Sequence, residues 1–203
     1  MKIILHIWFL VYLTWSKVFR FFERIFISDY DMIRTMKKDE IRLAKAKYLS
    51  RDNVHTFAQL KEYWDFFVNH YKWKSDKWWM AYDAISTPYG VMIRKGDDCD
   101  GFAFLSKELI EGFLRIKRNE EFDDSYLSSG VWFFIKKNLR GGHAISVWKN
   151  VYPPSDYIVV SNKEMLRFAD EDSFFRWMEN SFFDFNYIVK VDKNLDVISV
   201  DKV

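Results

Sequence analysis

GDDCDGFAF, residues 96–104, carries the chain's single cysteine, Cys99, set among Asp97, Asp98 and Asp100. Behind it runs GFAFLSKELIEGFLRIKR, with Ala103, Phe104, Leu105, Leu109 and Phe113 recurring on a helical period. A helix opening at this motif puts the thiol at its N-terminus. Unpaired N–H groups point outward there and the helix dipole is positive, which favours the thiolate. The acids act the other way. Yet aspartate is a preferred cap and suits a first helical turn, so these side chains can serve the backbone instead of facing the sulfur.

Magnitudes separate the two effects. An exposed like charge about 4 Å away costs ~1 kcal/mol in water, which is under one pKa unit. A helix N-terminus together with an imidazolium lowers a thiol pKa from ~8.5 to between ~3.5 and ~7.5. The acids therefore do not veto activation, provided a histidine is close.

Working outward, STPYG at 86–90 is a turn signal ahead of the motif. Upstream of it lies KWKSDKWWMAYD, dense in tryptophan, and before that a helix starting near Thr56 with Phe57, Leu60, Tyr63, Trp64 and Phe67 on its apolar side. Asn53 or Thr56 is its expected cap. The text from Asp29 to about Leu49 is charged and helical. After Asn119 the character changes. EEFDDSYLSSG is a polar loop, VWFFI, AISVW and YIVV read as strands, and a short helix covers about 173–180. YIVKV and DVISV close the chain as two strands, and DKNL between them suits a hairpin. Helices first and strands after, with little helix between, predicts an α+β fold with an antiparallel sheet.

Residues 1–28 form their own segment. MKIILHIWFLVYLTW is apolar from Ile3 to Trp15 except for His6 and Thr14, and Lys17, Arg20 and Arg24 then share one helical face. The apolar run is shorter than the ~20 residues needed to cross a bilayer. No small-residue cleavage site follows it, so a cleaved leader is not expected, and the localisation stays open between cytoplasmic and membrane-associated. Three readings stand: an uncleaved membrane anchor, a helix in the membrane interface giving membrane contact, or a helix packed on its own domain. Residues 29–203 are the expected catalytic domain.

Composition narrows the function. With 49% hydrophobic and 20% aromatic residues the chain is not of the disordered type, and a net charge of +2 gives no electrostatic case for a nucleic acid partner. One cysteine excludes an internal disulfide and any multi-cysteine zinc centre. A calcium-loop register ending at Gly101 would need oxygen ligands at Gly96 and Lys107 and fails. A phosphate loop lacks its Gly-Lys-Ser/Thr ending. No metal and no cofactor is expected.

His143, in RGGHAISVW, is the base that Cys99 requires. It enters a strand behind two glycines that leave the ring accessible. YIVVSNKE places Asn162 just past the next strand, where an amide oxygen could accept the imidazole N–H and fix the ring. Asp156 is the substitute for that role. Cysteine, histidine and an orienting group make up the equipment of acyl transfer through a thioester.

In this order, GDDCDGFA, GGHAISVW and YIVVSN, preceded by the Thr-Pro of STPYG, resemble the transglutaminase-like cysteine proteinases, the small bacterial and phage type of the papain-like superfamily. The resemblance covers about residues 78–163. It implies a papain-like core with the cysteine helix packed on the sheet, and the catalytic residues Cys99, His143 and Asn162. It further implies a protein or peptide substrate. An extra aspartate between Gly96 and Cys99, and Tyr89-Gly90 where an acid commonly follows Thr-Pro, depart from the pattern. Cell-wall peptidases with Asp-Cys-Ser-Gly-Phe are echoed too, with Asp100 in place of the serine. The expected activity is thiol-dependent amide hydrolysis. Transamidation by the same fold, or an inactive relative kept as a binding or assembly module, are the alternatives.

Overall fold

The computed structural model describes residues 2–28, 56–74, 84–118, 130–136, 142–149, 156–192 and 194–202. The helix expected over 29–49, most of the tryptophan-dense stretch and the polar loop after 119 fall largely or wholly outside them, as does Gly141 before His143. In chain order the elements are α1 (Lys2–Ser28), α2 (Phe57–Val68), β1 (Lys72–Trp73), α3 (Pro88–Arg94), β2 (Gly96–Asp97) and α4 (Cys99–Arg118). They continue with β3 (Val131–Lys136), β4 (Gly142–Lys149), β5 (Tyr157–Ser161), β6 (Glu164–Phe168), α5 (Glu171–Ser181), β7 (Phe185–Val191) and β8 (Val197–Lys202).

The six longer strands form one sheet in the order β6-β5-β4-β3-β7-β8, with every neighbouring pair antiparallel. The fold is α+β, as the element order predicted. Strands β1 and β2 add a short parallel pairing, Lys72 with Gly96 and Trp73 with Asp97. It brings the chain right up to Gly96, where a Cβ would stand 2.0 Å from the Lys72 carbonyl oxygen, at a φ of +153°. Only glycine fits that approach.

Strand alternation explains the unbroken apolar runs. On one face Val131, Phe133, Ile135, Ala144, Tyr187 and Val189 pack with α1 and α4, and Trp148, Ile158, Val160 and Met165 with α2, α3 and α4. On the other face Trp132, Phe134, Ile145, Val147, Tyr157 and Val159 pack under Phe174 and Met178 of α5 and under Phe182 just past it. VWFFI and YIVV show no polar alternation because both faces are covered. Each large side chain so buried is worth roughly 1.5–3 kcal/mol.

Local signals set the helix starts. Thr56 caps α2 in a capping box with Gln59, which settles the choice between Asn53 and Thr56. STPYG is a helix start as well as a turn: Thr87 accepts from the Gly90 N–H at 3.0 Å and Pro88 takes the first helical position.

Of the three readings for residues 1–28, the structure gives the packed helix. Phe9 and Leu13 enter the core, and the Ser16 hydroxyl accepts from the Ile85 N–H at 3.1 Å. Arg20, on the face it shares with Lys17 and Arg24, is turned inward and only 7% exposed. Its guanidinium donates to the Ile85 and Ser86 carbonyls at 3.1 and 2.9 Å and lies 4.2 Å over the Phe104 ring. No helix among the described residues is long and apolar enough to cross a membrane. Ile7, Val11, Trp15, Phe21 and Phe22 remain exposed on the outer side of α1.

Candidate active site

At the start of α4 the three aspartates do what their chemistry suits them for. Asp98 caps the helix, its carboxylate accepting from the Asp100 N–H at 3.2 Å and its carbonyl from the Phe102 N–H at 3.2 Å. Asp97 accepts from Arg94 at 2.9 Å and from the Asp98 N–H at 3.1 Å. Asp100, buried, accepts from the Tyr12 hydroxyl at 2.7 Å. Each acid has a donor of its own. Gly101 makes room for this: a Cβ there would meet Asp97 Cβ and Cγ at 2.5 Å.

Cys99 is the first residue of α4, half-buried. It packs against the cluster that holds Ala103, Phe133 and Ala144, alongside Trp8 and Tyr12 of α1. The helix-terminal placement expected for the thiol is therefore met.

His143 is the second residue of β4. Its Nε2 lies 2.8 Å from the Ser161 Oγ, and its ring stacks on Phe182 with centroids 5.4 Å apart. Phe182 also stacks on Phe134, the cross-strand partner of His143, at 4.1 Å. Burial under these rings lowers the His143 pKa to about 4, because an imidazolium is poorly solvated there. The ring is neutral at pH 7 and able to take up a proton, at the cost of reduced basicity.

The Ser106 and Ser146 hydroxyls meet at 2.5 Å, both wholly buried, and tie α4 to β4. Cys99 and His143 turn to different sides of that strand: Ala144 belongs to the cluster that Cys99 packs against, while His143 turns toward Phe182.

Asn162, expected beside His143, is not the residue that contacts its ring; Ser161 is. Asn162 is the first of two loop residues joining β5 to β6, with φ of 53°, and its Oδ1 is buried without a hydrogen bond. Ser161, one residue earlier, takes the imidazole, because strand alternation gives it the same face as His143. Asp156 lies at the far end of β5, about 16 Å along the strand, where it accepts from Arg167 Nε at 2.9 Å. The sequence signal for Ser161 was the hairpin. EMLRF forms β6, and Ser161 pairs with Glu164 across the turn. Without that strand, SN reads as a loop and Asn162 as its polar tip.

No family model matches the sequence, and no curated protein does. Among solved structures, LapG of Legionella pneumophila is similar, with a TM-score of 0.43 and 14% identity over 87% of this chain and 82% of that one. The likeness is a distant one of backbone course. The chemistry rests on the residues themselves.

Proposed function

We propose that the chain is a thiol-dependent amide hydrolase acting on protein or peptide substrates. The observation that carries the reading is Cys99 as the first residue of α4, with His143 on β4, the strand whose Ser146 meets Ser106 of that same helix. In this reading His143 Nδ1 takes the thiol proton as Sγ bonds to the amide carbonyl carbon. The tetrahedral oxyanion is held by N–H groups at the α4 N-terminus. Collapse breaks the C–N bond, and the proton on His143 passes to the leaving amine. Water, giving its proton to His143, then attacks the thioester and releases the acid and the thiol. An amine in place of water gives transamidation by the same steps. The motif resemblance of GDDCDGFA and GGHAISVW supports the same assignment of Cys99 and His143.

A second reading, a binding module without catalysis, is favoured by one observation: Cys99 and His143 belong to separate side-chain clusters on opposite faces of β4. One experiment separates the two. The full chain is incubated with an unfolded protein substrate, with and without a primary amine, and compared with Cys99→Ala. The enzyme reading expects new amine ends or amine incorporation that vanish in Cys99→Ala. Products that persist undiminished in that variant would refute it.

A further inference from the structure

We propose that Ser161 is the positioning residue of His143, holding the ring through Nε2 in the tautomer that leaves Nδ1 free to receive a proton. This deepens the enzyme reading and rests on His143 being its base. The geometry gives the role to a hydroxyl, neither to the amide of Asn162 nor to the carboxylate of Asp156. Ser161 Oγ lies 2.8 Å from Nε2, Asn162 occupies the turn, and Asp156 is committed to Arg167.

A ring nitrogen donates only when it carries the proton. A general base directed at the thiol through Nδ1 requires that nitrogen bare, so Nε2–H donates to Ser161 Oγ. Phe182 on one side and the strand bond on the other leave the ring little freedom to turn. The choice of hydroxyl has an electrostatic consequence. A carboxylate in that position would stabilise the imidazolium, whereas a neutral hydroxyl does not, and burial then sets the basicity. The charged groups on the elements packed around the ring lie toward solvent among the described residues: Glu164, opposite Ser161, and Arg167 on β6, the Lys136–Asp184 pair at 2.5 Å, Lys149 at the far end of β4, and Glu171, Asp172, Arg176 and Glu179 on α5.

The test reads the ring's own proton. The imidazole nitrogens of the full chain are followed by NMR from neutral to acid pH, with His143→Gln to assign its signals. The wild type is expected to show one tautomer, protonated at Nε2, that persists until the ring titrates near pH 4. Ser161→Thr, which keeps the hydroxyl, preserves that tautomer, and Ser161→Ala mixes the two. Ser161→Asp raises the titration midpoint by about 1–3 pH units. The proposal is overturned if the wild-type ring carries its proton on Nδ1. It is equally overturned if Ser161→Ala keeps the wild-type tautomer, or if Ser161→Asp titrates like the wild type. The Ser161→Asp arm stands even where the alanine variant fails to fold. The readout is the same whether or not Cys99 cleaves amides, so failure here and failure of the Cys99→Ala experiment are distinct results.

Discussion

The hydroxyl contact between α4 and β4 can be weighed by a double-mutant cycle. Ser106 Oγ donates to the Ala103 carbonyl at 2.8 Å, so the proton in the Ser106–Ser146 contact comes from Ser146. The two single variants are then unequal. Ser146→Ala removes a donor and leaves Ser106 bonded to Ala103, a loss of about 0.5–1.5 kcal/mol. Ser106→Ala leaves the Ser146 hydroxyl buried without its acceptor, a loss of about 1–3 kcal/mol. With both removed no orphan remains, and the double variant costs less than the sum by roughly 1 kcal/mol, within the range found for touching residues. Urea unfolding of the four proteins, at constant m, gives these differences. Additive losses within about 0.3–0.5 kcal/mol would mean that the two hydroxyls do not touch. The tie between α4 and β4 through that pair would then fall with them.

Arg20→Met should cost at least about 2 kcal/mol in the same assay, since two buried carbonyls lose a charged donor. Arg20→Lys should restore less than half, because a lysine lacks the planar fork that serves both. Gly101→Ala, which in an ordinary helix interior gains up to ~1 kcal/mol, should here lower the melting temperature through its clash with Asp97. Gly96→Ala, facing backbone, should lower it further. His143 gives a pH dependence of fixed sign. Its folded pKa of about 4 lies below the unfolded value of about 6.5, so the unfolded chain binds the proton first. Its contribution to stability is whole above pH 6.5 and is lost as pH falls to about 4. It amounts to about 3 kcal/mol in full, and His143→Phe should remove that slope from the pH–stability curve.

Much of this architecture was legible from local pattern. The capping residue of α2, the helix behind Cys99 and five of the strands follow from periodicity and turn chemistry. What escaped depends on contacts far apart in the chain. The inward placement of Arg20 depends on Ile85, Ser86 and Phe104 coming together around it. EMLRF has Glu164 and Arg167 among its apolar residues and reads as loop, because β6 is an edge strand paired only with β5. Missing β6 hid the two-residue hairpin, and with it the alternation that assigns Ser161, not Asn162, to His143. Of the aspartates around Cys99, Asp97 and Asp98 serve the backbone as the sequence suggests, whereas Asp100 is buried and takes the Tyr12 hydroxyl, a contact from far along the chain.

The measurement closest to the centre of the account is the alkylation rate of Cys99 by iodoacetamide, from about pH 5 to about pH 10, in the full chain and in His143→Gln. With imidazole and thiol in functional contact, the wild type should react at neutral pH at least about tenfold faster than the variant. Identical profiles in the two proteins, both with the midpoint near ~8.5 of an unassisted thiol, would contradict it.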